Sequence, residues 1–133
     1  MLKSAVLPAA IDDRWRPGEV RTLSRCVRRS YRLDLMASGQ PCLLWVSGRD
    51  RPGVHALGAL AGIPEEDDGP VVPVRLTLLG EPVPRAELLT DPRMSGAEIL
   101  RMPAGSNPSW LSAGQFGAVL DRVEAARLGR WAP

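Results

Sequence analysis

Apolar residues along this chain come in short runs broken by proline, glycine and charge, a pattern that predicts several short strands and a few short helices. Pro41 to Ser47 reads as a buried strand and Val54 to Ala61 as a second, joined by the charged loop SGRDRPG, which is longer than a tight two-residue turn. Gly58 removes a side chain from the second strand and invites a bulge or the close approach of another group. The run VVPVRLTLL alternates as a third main strand, with Pro73 placing it near a sheet edge. SAVLPAAI, residues 4–11, also reads as a strand that Pro8 pushes toward an edge or an early exit. From Gly18 to Leu35 the residues Val20, Leu23, Val27 and Tyr31 recur at helical steps, which predicts a helix with the arginines on its other faces. VRRSYRLDL also alternates, so an extended reading stays open there.

Further along, PRAELLTDP reads as a short helix stopped by Asp91-Pro92, because the residue before a proline is pushed out of the helical region. Another short helix is read at Met94 to Arg101, and PAGSNPSW, dense in turn formers, as a loop. Ser112 with Gln115 three residues later forms a capping box, and Phe116, Val119, Leu120 and Val123 make an apolar helical stripe, which predicts a C-terminal helix. Strands separated by short helices in no regular alternation give an α+β domain, and short strands with glycine bends fit a small, partly open β-barrel.

With 133 residues the chain suits a single domain, residues 1–133. Its 44% hydrophobic and 24% charged residues are ordinary for a globular protein and argue against disorder or a fibrous class. No apolar run approaches the roughly 20 residues of a membrane helix, and MLKSAVLPAAIDD is too short and too soon acidic for a secretory signal, so a cytoplasmic protein is expected. Cys26 and Cys42 lack the spacing of a zinc or thioredoxin-type motif and are read as buried thiols in a reducing compartment. All but one of the 17 basic residues are arginine, a bias that, with abundant Ala, Gly and Pro, suits a GC-rich bacterial genome.

The net charge of +2 hides an asymmetry that matters more. Residues 1–51 carry ten basic and five acidic side chains, residues 52–133 seven and ten. Seven of those arginines fall between residues 14 and 32, which reads either as a surface for phosphates or as a solvated face in an Arg-biased sequence.

Catalytic signatures are missing. His55 is the one imidazole, on a strand in alternation with Leu57 and Ala59, and reads as a packed strand residue. Ser47 lacks the glycine of a nucleophile elbow, there is no P-loop, and the run Glu65 to Asp68 lacks the alternating ligands of a calcium loop. The expectation is a non-enzyme with no metal and no cofactor. The hairpin from Cys42 to Gly62 does gather an aromatic ring, a hydroxyl and guanidinium groups around one turn, a place suited to a flat polar ligand such as a nucleobase. Trp45 fits two roles there, a core residue or a stacking face. Asn107 can read a base edge or serve as ordinary turn chemistry before Pro108, and Trp110 reads as a packing staple.

LLWVSGRDRPGVHALGALAG resembles the signature of EVE domains, in which a strand ending in WVSG precedes a glycine-punctuated second strand. VVPVRLTLLGEPVPRAELLTDPRMSGAEILRMPAGSNPSWLSAGQF resembles that family's C-terminal half, and the likeness is strongest over residues 39–120. Gln40 stands where the family has an Asp after glycine, and SAVLPAAIDD lacks its aromatic first strand. The resemblance implies a PUA-like β-barrel, related to ASCH and YTH domains, with flanking short helices. It further implies a module that binds DNA or RNA and takes a flipped-out, modified base into a pocket. On the matching positions Trp45, Ser47, Gly48, Ser106 and Asn107 would hold the base, while Arg28, Arg29, Arg49 and Arg51 would meet the phosphate backbone. A nuclease is a possible partner. Two alternatives stand beside this reading: a small nucleoside- or RNA-processing enzyme on an ASCH-like fold, with an Arg or Tyr31 near the pocket, or an interaction protein whose pocket has degenerated.

Overall fold

Period-two alternation divides the side chains of one interior strand between two cores. Along β3 (Pro41–Val46), Leu43 and Trp45 join one cluster, and Cys42 and Leu44 join the other. Both sets are buried, so this strand is covered on both faces. The computed structural model describes residues 1–101 and 108–127. Its sheet runs β1 (Leu2–Ser4), β3, β4 (Gly53–Leu60), β6 (Pro70–Pro84) and β2 (Val20–Cys26) in spatial order, with β5 (Glu65–Glu66) paired to the start of β6. β1 lies parallel to β3 and the other pairs are antiparallel. The fold is α+β, a mixed sheet curled into a half-barrel with a few short helices.

The hairpin β3–β4 is as expected from its apolar runs, but its irregularity falls at His55 rather than at Gly58. Leu44 faces Ala56 while Trp45 faces Val54, leaving His55 unpaired as the bulged residue. The bulge breaks the expected alternation, because Val54 now packs in the same cluster as Leu57. Gly58 is the close approach instead: a Cβ there would lie 1.9 Å from the Arg75 carbonyl oxygen.

Three expectations need correction. The segment read as a helix from Gly18 to Leu35 is the strand β2 followed by a 3₁₀ turn at Tyr31–Leu35. Its helical spacing was coincidental; pairing with β6 from Val20↔Thr77 to Cys26↔Val71 satisfies the backbone, and exposure alternates strictly along the strand. The strand read at residues 4–11 is displaced, because β1 ends at Ser4 and Pro8 opens the short helix α1 (Pro8–Ile11), where a missing N–H costs nothing. Pro73 does not mark an edge, since β6 is flanked by β4 and β2. Its carbonyl accepts from Ala61 N–H on the β4 side, just past the last ladder pair Leu60↔Val74, so its missing donor falls where that ladder has ended.

Beyond β6 come α2 (Arg85–Leu88), a 3₁₀ turn at Pro92–Met94 and α3 (Glu98–Arg101), which divide the two short helices read from the sequence. The long helix α4 (Ala113–Arg127) opens on the expected capping box, with Ser112 N–H donating to Gln115 Oε1 at 2.9 Å and Gln115 N–H to Ser112 Oγ at 3.1 Å. Val119 and Val123 pack in the cluster of Leu43 and Trp45. Asp91 anchors the helix at its far end, accepting from Arg93 at 2.8 Å and from Arg122 of α4 at 2.9 Å. These guanidinium bonds, those of Arg93 foremost, hold its carboxyl well below the usual carboxylate range.

Candidate nucleic-acid interface

β3 begins and β4 ends at the same rim of the half-barrel, with Pro41 opposite Ala59. A cavity of about 380 Å³ opens there, within the size range of small-ligand sites. Leu43, Leu60, Phe116 and Leu120 give it apolar walls, and Gln40, Ser109 and Ser112 supply polar groups. Pro108 and Trp110 close one side, at the point where the chain returns from the GSN motif. Met1 and Ser109 exchange both backbone hydrogen bonds, each 3.0 Å, which fixes this segment against the start of β1. The Cys42 thiol also lines the cavity, and burial pushes its pKa up, so it stays protonated at neutral pH.

The rim is braced by charge. Arg32, from the 3₁₀ turn after β2, grips Glu98 of α3 with both nitrogens, Nη1–Oε1 at 2.6 Å and Nη2–Oε2 at 2.9 Å. The same Nη1 donates to the Pro108 carbonyl at 3.0 Å, and the guanidinium carbon lies 6.0 Å from the Trp110 ring centre. Arg32 is the main reason Glu98 is held below the usual carboxylate range, with smaller contributions from the Trp110 N–H and Lys3. One cluster thus ties together the basic segment, α3 and the chain entering α4.

The sequence-read site residues fall in three places. Trp45 is 2% exposed and packed under α4, so as it stands the ring presents no open face. Ser47, Gly48, Arg49 and Arg51 sit at the other end of the hairpin, Ser47 being five residues beyond Cys42 or about 17 Å along a strand. There the Ser47 N–H donates to the Ser4 carbonyl at 2.9 Å and its hydroxyl to the same oxygen at 3.3 Å. His55 Nε2 pairs at 2.7 Å with the carbonyl of Arg51, which holds a left-handed φ of 49°. Burial lowers the His55 pKa, keeping the ring neutral so that it donates this bond. Arg28 and Arg29 are exposed and lie only a few residues before Arg32, with Arg29 ion-paired to Glu66. Ser106 and Asn107 lie outside the described residues, immediately before Pro108.

The structure therefore brings forward Gln40, Arg32, Glu98, Ser109 and Trp110, none of which the sequence motif assigned to the base. Trp110 had a visible signal, an aromatic standing between the GSN motif and a capping box. The Arg32–Glu98 pair had none, because two residues 66 positions apart announce nothing by spacing.

This geometry defines the chain as an α+β half-barrel with a braced, apolar cavity at one rim. Among solved structures it is similar to a hypothetical protein from Leishmania major, with a TM-score of 0.66 at 15% identity over 93% of this chain and 92% of that one. It is also similar to human THYN1 protein, solved in complex with DNA containing 5-methylcytosine, with a TM-score of 0.51 at 18% identity over 77% of this chain and 79% of that one. No family model matches the sequence, and no curated protein is significantly similar to it.

Proposed function

We propose that this chain is an EVE-type nucleic-acid-binding module that takes a flipped-out, modified nucleobase into the cavity beside Trp110, and that it performs no catalysis. The observation that carries this reading is the cavity itself: apolar walls, a half-buried tryptophan at its mouth and a guanidinium braced beside that ring, in a fold shared with a protein solved on modified DNA. Flipping costs a few kcal/mol of lost stacking, and an aromatic face with edge hydrogen bonds offsets it. Trp110 supplies that face, while Trp45 backs the pocket from within the core. Ser106 and Asn107, the motif residues joined to Pro108, read the polar edge of the base. Arg28 and Arg29, exposed a few residues before the braced Arg32, meet phosphates, and Arg49 and Arg51 follow the backbone at the far end of the hairpin.

The test is a fluorescence-anisotropy titration with labelled DNA and RNA oligonucleotides, each with and without a modified base, over a range of salt. Binding is expected to weaken linearly in log salt, because phosphate contacts release counterions. Trp110→Ala is expected to lose about tenfold in affinity, the low end of what one base–aromatic stack contributes. Absence of binding to every oligonucleotide at low salt overturns the proposal.

A further inference from the structure

On the reading of the cavity as a base pocket, we propose that the module takes its base from an unpaired strand, with Tyr31 as a second stacking platform, outside the cavity, for a flanking nucleotide. Tyr31 opens the 3₁₀ turn at Tyr31–Leu35 and is 70% exposed, more than any other large apolar side chain among the described residues. The other described aromatic rings, Trp15, Trp45, Trp110 and Phe116, are buried or half-buried. An aromatic face left in water gains by being covered, and tyrosine presents that face at low entropic cost because it has only two side-chain torsions to fix.

The position of the ring ties it to the pocket. Ser30 caps the turn, its Oγ accepting from Arg32 N–H at 3.3 Å, and Arg32 is itself held by Glu98 and the Pro108 carbonyl. The Arg32 guanidinium also donates to the Tyr31 hydroxyl, and its carbon lies 6.0 Å from the Trp110 ring centre. An ordinary hydrogen bond added to that distance puts the Tyr31 hydroxyl no more than about 11 Å from the Trp110 ring. Stacked nucleotides rise about 3.4 Å each, so a strand with one base at Trp110 reaches Tyr31 within about three nucleotides. Arg28 and Arg29, both exposed, stand three and two residues before Tyr31 and supply cations on the approach to it. An aromatic ring among guanidinium groups suits a single strand, the ring stacking a base and the cations following the backbone. In a duplex the flanking bases are already stacked and paired, so only an unpaired strand offers Tyr31 a free base face.

The full chain is titrated with a labelled oligonucleotide carrying one central 5-methylcytosine, presented in three forms: a single strand, its duplex, and a single strand with abasic residues at the three positions on either side. The wild type is expected to bind the intact single strand about tenfold more tightly than the other two forms, within the range of one base–aromatic stack. Tyr31→Ala is expected to lose that tenfold on the intact single strand and little on the others. Tyr31→Phe is expected to keep it, because the ring stacks without its hydroxyl. A wild type without preference for the intact single strand overturns this inference and leaves the base-pocket reading standing. So does a Tyr31→Ala loss that is absent or equal on all three forms, or a Tyr31→Phe loss as large as that of Tyr31→Ala. Failure of the wild type to bind any form at low salt overturns the base-pocket reading itself.

Discussion

Arg32 and Glu98 stand 66 positions apart in the chain and meet in a two-pronged ion pair, 2.6 and 2.9 Å, beside Trp110. The pair does more than join two side chains, because Arg32 also holds the Pro108 carbonyl at 3.0 Å and so fixes one wall of the cavity. Its side chains are 25% and 30% exposed, so solvent screens much of the Coulomb attraction and the value lies mainly in geometry. Glu98→Gln is expected to cost about 1 kcal/mol of unfolding free energy by urea denaturation. It is expected to weaken oligonucleotide binding by more than that stability loss explains, through a looser rim.

Trp45 and Trp110 separate fold from function. Trp45 is 2% exposed within the core under α4, so Trp45→Ala is expected to destabilise by about 3–5 kcal/mol. Trp110 is half-buried at the cavity mouth, and Trp110→Ala is expected to change affinity far more than the denaturation midpoint. Midpoint and affinity measured on both variants check the contrast.

Acid should act on the fold in two windows. Burial lowers the His55 pKa below its ordinary 6.5, so the unfolded chain takes up that proton first. The stability contributed by the neutral ring is present above about pH 6.5 and is lost as pH falls below it, with a slope of at most about 1.4 kcal/mol per pH unit for one proton. Glu98 and Asp91, both depressed, contribute stability that is present above their ordinary values of 4.5 and 3.8 and is lost as pH falls further. Urea midpoints measured between pH 8 and about pH 5 are expected to fall in the wild type and to flatten in His55→Gln.

Gly58 tests the curl of the sheet. An added Cβ would sit 1.9 Å from the Arg75 carbonyl oxygen, a contact with backbone that no side-chain rotation relieves. Gly58→Ala is expected to cost about 3 kcal/mol by forcing β4 away from β6, read as a lower thermal midpoint.

Much of this architecture was legible because local rules and tertiary packing agree. The β3–β4 hairpin followed from buried apolar runs, and α4 from the Ser112–Gln115 box and the stripe ending at Val123. β2 was misread because Val20, Leu23, Val27 and Tyr31 happen to match helical steps, and the partner that decides the matter, β6, begins some fifty residues away. The cavity was harder to read for the same reason. Motif matching pointed to the hairpin tip at Ser47, and the cavity on which the proposal rests lies at the hairpin's other end, built by Gln40, Trp110 and the wall that Arg32 secures. Sequence spacing shows which face of a strand a residue takes, and it is silent on which end of the strand a distant loop will cover.

The most direct measurement of the central claim is a two-dimensional ¹H–¹⁵N NMR titration with an oligonucleotide carrying a modified, unpaired base. The account expects the Trp110 indole, the Gln40 side-chain amide and the Ser109 backbone amide to shift most. The Ser47 and Gly48 amides, about 17 Å away along β3, should move less. Shifts concentrated at Ser47 to Arg51, with Trp110 and Gln40 unmoved, would contradict it.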